Sequence, residues 1–129
     1  MRLITVELYL CSATYDVNEI AKKIDLSGAV LWYPRLPQYA DPAWSFVVHS
    51  QDLAIETPLF ELQNILLPKM ECISEICANK NIYTHINIIV KADSYVERPE
   101  ISLPPSIFPF FMKLNATIDF DILYKEDLA

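Results

Sequence analysis

Two histidines, three cysteines and one aspartate pair are the residues in this chain whose types could do chemistry. Nucleophilic catalysis would need a Cys or Ser beside a His, with a carboxylate to orient the ring. His49 and His85 are the two imidazoles, and each falls on the polar side of an alternating stretch. Cys11 ends the first such stretch, so an approach to His85 is geometrically open, although a structural thiol and a sheet-surface imidazole are the commoner roles. A zinc site needs ligands in tight local pairs. Cys72 and Cys77 lie on a helical pattern, where five residues turn about 500° and send the two thiols apart. Cys77 is expected in a helix core and Cys72 at a partly buried position. Asp119 and Asp121 share one strand face and could hold a cation or act as paired acids, with a solvated sheet face as the simpler expectation. No cofactor is expected.

The elements that would position these groups are legible from periodicity. Asn81 to Lys91 alternates Ile82, Thr84, Ile86, Ile88 and Val90 against Tyr83, His85, Asn87, Ile89 and Lys91, which predicts a central strand with one buried face. Its β-branched density, free of Pro and Gly, suits a sheet interior. Arg2 to Cys11 predicts a first strand, with Ile4, Val6, Leu8 and Leu10 on one face and Thr5, Glu7 and Tyr9 on the other. Asp16 with Glu19 three residues on resembles a capping box, and Val17, Ile20, Ala21 and Ile24 follow as a helix stripe stopped near Ser27-Gly28. Ala29 to Tyr33 reads as a short strand and Trp44 to His49 as another. Thr57-Pro58 opens a long helix as a hydroxyl cap followed by proline, and Pro68 predicts a kink or restart near Leu67. That helix should end around Asn79 to Asn81. A third helix carries Ile107, Phe108, Phe111 and Leu114 with Asn115 as its C-cap, and Ala116 to Tyr124 is the last strand.

The resulting order, β-α-β-β-α-β-α-β, predicts a single α+β domain with a mostly antiparallel sheet. Its first six elements match the split β-α-β arrangement of ferredoxin-like domains, with an added helix and strand. A length of 129 residues and a hydrophobic content of 53% suit one core. The single glycine rules out a Gly-rich phosphate cradle. A formal charge of -7 disfavours nucleic acid and anionic membrane and favours a basic protein partner. Three cysteines cannot all pair within one chain, which suits reduced thiols and a cytoplasmic location. The opening MRLITVELYLCSA reads as a strand rather than a signal, because Glu7 interrupts its apolar run. No run approaches the roughly 20 apolar residues of a membrane span.

Several landmarks in order resemble a bacterial family, domain of unknown function 4279. They are Tyr15-Asp16-Val17-Asn18-Glu19-Ile20 at the first helix, Trp44 at the middle strand, Pro68-Lys69 in the long helix and Ile101-Ser102-Leu103 before the third. The closing Leu114-Asn115-Ala116 with Ile118-Asp119-Phe120-Asp121 is the most specific piece. Asn115 stands where the family commonly has a helix-ending glycine, and the aromatic-Pro loop at 32 to 44 is a further departure. The resemblance implies a compact bacterial α+β domain; some members look like immunity proteins that neutralise a toxin.

Binding is the function the residues favour most. The connection from Trp32 to Trp44 is rich in Trp, Tyr and Arg, the types that dominate interface hot spots, and its prolines limit the entropy lost on docking. Trp44, and to a lesser degree Trp32, are expected to plug the core, leaving Tyr33, Arg35 and Tyr39 for contact. Between Asp41 and Glu75 there are six acids and one base. The expected partner-binding set is therefore Tyr33, Arg35, Tyr39, Asp41, Asp52 and Glu56, joined by Asp93, Tyr95, Glu97 and Glu100 after the central strand. The expected function is an immunity protein that occludes a basic toxin such as a nuclease. A small-molecule binder, or a homodimeric module whose mixed strand face is covered by a second copy, is the alternative.

Overall fold

The computed structural model describes residues 3–36, 40–51, 54–92 and 102–125. Five strands form one sheet: β1 (Leu3–Cys11), β2 (Val30–Trp32), β3 (Ala43–Ser50), β4 (Tyr83–Ala92) and β5 (Ala116–Tyr124), in the order β2-β3-β1-β4-β5. The first three pairings in that order are antiparallel and β4–β5 is parallel. The first four strands thus take the split β-α-β order, and β5 extends it beside β4. A parallel neighbour requires a crossover, and helix α4 (Phe108–Leu114) lies in the connection. The architecture is α+β as expected. As expected, β4 is an interior strand paired on both sides, between β1 and β5, with β1 at the middle of the five.

One face of this sheet is packed. Ile4, Val6, Leu8 and Leu10 of β1 and Ile86, Ile88 and Val90 of β4 are all 0% exposed. Trp44, Phe46 and Val48 of β3 extend the same row, since Leu10 pairs with Trp44 and Leu8 with Phe46. Each such aliphatic side chain contributes roughly 1.5–3 kcal/mol of transfer free energy, so this row and the helices on it hold the fold. Helix α1 (Val17–Ile24) buries Val17, Ile20 and Ile24. Helices α2 (Glu56–Leu66) and α3 (Met70–Cys77) bury Leu59, Leu62, Leu66, Ile73, Ile76 and Cys77. Between them Leu67–Lys69 form one 3-10 turn, the restart that Pro68 predicts by removing a backbone donor.

Helix ends correct several expectations. The Asp16 carboxylate accepts from the Asn18 amide at 2.9 Å, as its cap role requires, but Glu19 reaches forward to Lys22 at 3.4 Å rather than back to close the box. Helix α1 stops at Asp25 in the left-handed region, φ 47°, before Ser27-Gly28 is reached. Gly28, at φ 91°, is needed one turn later, where a Cβ would stand 3.4 Å from the Phe46 ring. Helix α2 begins at Glu56 after Ile55, so Thr57 and Pro58 occupy its first turn instead of its cap. Neither Asn79 nor Asn81 is left-handed; Asn79 instead accepts from the Asn81 amide through its side chain at 2.9 Å. Asn115 does take the left-handed cap, φ 52°. Phe108, expected in the buried stripe of α4, is 46% exposed, and Phe110 is buried in its place. No helix among the described residues is long and apolar enough to cross a membrane.

Candidate functional site

The opposite face of the sheet carries the polar and aromatic rows, which the register brings together. Trp32, Ala43, Cys11 and Tyr83 lie across one row, and Val30, Ser45, Tyr9, His85 and Thr117 across the next. Val47, Glu7, Asn87 and Asp119 make a third. At the end of the sheet where β1 finishes and β3 and β4 begin, this face sinks into a depression of about 580 Å³. Tyr9, Trp32, Asp41, Tyr83, His85 and Asp119 line it, with Cys11, Asn87, Ala40 and Ala43.

A chain of polar contacts runs along its floor. The Tyr83 hydroxyl donates to Asp41 at 2.7 Å. The Tyr83 and His85 rings meet edge to face with centroids 5.7 Å apart. His85 Nδ1 then lies 3.4 Å from the Asp119 carboxylate. That nitrogen is buried and makes no hydrogen bond among the described residues. Beside this chain the Tyr9 hydroxyl donates to Glu7 at 2.9 Å. Burial, then the bond to Glu7, pushes the Tyr9 phenol up to about 12. Burial, then the bond to Asp41, raises Tyr83 as well. Both hydroxyl protons are therefore retained at neutral pH and committed to carboxylates.

Cys11 is nearly buried, and Tyr83 rather than His85 is the residue across from it in the register. Burial first, and then the Asp41 charge, push its thiol up to about 11. About one thiol in 10⁴ is then ionised at pH 7, so this sulfur is a poor nucleophile. Cys77 is buried and accepts from the Thr84 hydroxyl at 3.5 Å; Cys72 is half-buried and its thiol donates to the Lys23 carbonyl at 3.3 Å. These are the packing roles expected of them. His49 sits on the open face and contacts the Thr5 hydroxyl at 3.1 Å. Among the described residues no three His, Cys, Asp or Glu side chains cluster as metal ligands do.

Of the ten expected partner-binding residues, Tyr39, Asp52, Asp93, Tyr95, Glu97 and Glu100 lie outside the described residues. Tyr33 is 54% exposed and accepts from the Asn18 side chain at 3.0 Å; Arg35 is exposed. Asp41 enters the depression. Glu56 is exposed but starts α2, which follows the far end of β3, so it stands apart from Asp41. Trp44 plugs the core at 1% exposure, whereas Trp32, the weaker core candidate, opens onto the depression at 45%. Tyr9, Tyr83, His85 and Asp119 were absent from the expected binding set. Their shared row parity was visible in the sequence, but which strands adjoin was not. The chain matches no protein-family model, no curated protein and no solved structure.

Proposed function

We propose that this chain is a binding protein that docks a basic protein through the open face of its sheet. The observation that carries this reading is the exposure of Trp32 and Tyr83, at 45% and 44%, beside Asp41 and Asp119 on a face that presents polar and aromatic rows. Aromatic anchors supply contact area at low entropic cost, and the surrounding carboxylates steer a cationic partner. Strands spaced about 4.8 Å with a rise of about 3.3 Å per residue offer on the order of 600 Å² over the five, most of it from β1, β3, β4 and β5, close to one side of a standard interface. The net charge of -7 adds long-range attraction of the same sign. With the likeness to domain of unknown function 4279, the specific reading is an immunity protein of the cytoplasm that occludes a toxin, a setting that suits its three free thiols.

The test is surface plasmon resonance against any toxin domain found encoded beside this chain. Association should slow as salt rises from about 50 to about 500 mM, because the Debye length shrinks severalfold. Trp32→Ala with Tyr83→Ala should speed dissociation at least tenfold. Unchanged kinetics in the folded double variant would remove the open face as the docking surface.

A further inference from the structure

We infer that the depression on the open sheet face is a receptor for an arginine side chain of the partner protein. This deepens the docking reading and rests on it. The argument begins with hydrogen-bonding capacity. Tyr83 and Tyr9 have spent their only protons on Asp41 and Glu7, so their oxygens can now only accept. Asp41 and Asp119 are acceptors throughout when ionised. His85 turns its buried Nδ1 toward an Asp119 oxygen 3.4 Å away. Against these acceptors stand three donor groups, the Asn87 amide, the Trp32 indole N–H and the Cys11 thiol. A lining this rich in acceptors suits a guest that only donates, and a guanidinium has five N–H donors and no acceptor.

Charge and shape narrow the guest further. One carboxylate stands at each end of the Tyr83–His85 pair, and among the described residues no Lys or Arg lines the depression. Trp32 opens a large ring onto the same space. Aromatic faces attract cations, and a planar, weakly hydrated guanidinium stacks on them better than an ammonium does. A volume of about 580 Å³ accommodates the side chain together with neighbouring backbone.

The experiment titrates the intact chain with N-acetyl-arginine amide, following backbone amides and the Trp32 indole by NMR. Its neutral isostere, the citrulline amide, is the control. The arginine probe should give saturable shifts at Trp32, Tyr83 and His85, at least tenfold tighter than citrulline. Asp41→Asn with Asp119→Asn should weaken the probe about tenfold or more while circular dichroism remains that of the parent. Absence of saturable shifts, equal affinity for citrulline, or an indifferent double variant each overturns the assignment. Spermidine binding tenfold tighter than the arginine probe would also overturn it, in favour of a free polyamine. If the probe fails while the toxin still docks on this face, the arginine receptor falls and the docking surface stands. If the probe binds and toxin docking ignores the face, the docking reading falls instead.

Discussion

Ile86 and Tyr83 stand three residues apart on β4 and point to opposite sides of the sheet, so one pair of substitutions separates support from function. Ile86 is 0% exposed and Tyr83 is 44% exposed. Ile86→Ala removes three carbons, which costs ~2.4 kcal/mol in transfer free energy. A residual cavity of about 50 Å³ adds ~1.2 kcal/mol, for a total near ~3.5 kcal/mol. Tyr83→Ala loses about half of its ring's burial and one bond to Asp41, or ~1.5 kcal/mol together. With a urea slope of ~1.8 kcal/mol per molar, the midpoints should fall by ~2 M and by under ~1 M. The assay is urea denaturation followed by far-UV circular dichroism, with binding of the proposed partner measured on the folded fraction. Ile86→Ala should bind like the parent once folded, and Tyr83→Ala should not. Equal midpoint losses for the two variants, or an Ile86→Ala cost below ~1 kcal/mol, would refute the assignment of faces.

Three further outcomes follow from the same geometry. Tyr9 keeps its proton longer in the folded chain than in the unfolded one, so its stability contribution is complete below pH 10 and disappears as pH rises through about 12. Discounted for the solvent that still reaches the phenol, this amounts to ~1 kcal/mol; Tyr9→Phe should flatten the loss of thermal stability between pH 10 and 12, and an unchanged slope contradicts it. Asn115 holds the left-handed cap of α4 at φ 52°, so Asn115→Ala should cost ~1 kcal/mol and lower Tm, whereas Asn115→Gly should leave Tm unchanged or raise it. The protonated Cys11 thiol should alkylate with iodoacetamide at pH 8 at least a hundredfold slower than a free model thiol, followed by peptide mass spectrometry; rapid labelling in the folded chain would mean that Asp41 and burial do not hold its proton.

Much of this molecule was readable along the chain because each signal was local. The β1 and β4 alternations, the Asp16 cap, the Pro68 break and the Asn115 stop depend on neighbours within a few residues. The buried stripe of α4 is Ile107, Phe110, Phe111 and Leu114, the i, i+3, i+4, i+7 spacing itself, which leaves Phe108 outside it. Elsewhere a distant element decided. Trp32 was a candidate core plug, but β2 is an edge strand whose parity turns that ring outward. The candidate site shows the same division. Asp41 was singled out for its charge, while its neighbours Tyr83, His85 and Asp119 were assigned to solvated or mixed faces.

The amino-acid order by itself determined which side chains share a strand face, because parity is a property of one strand alone. It likewise set the negative charge, the Pro68 restart, the Asn115 cap and the apolar row that must be buried. Only the tertiary structure decided that β1 lies between β3 and β4 and that β5 runs parallel beside β4. Strand pairing joins residues up to tens of positions apart, and its register, not any local pattern, placed Asp41 on the Tyr83 hydroxyl and Asp119 against His85. The depression therefore exists only as a product of pairing.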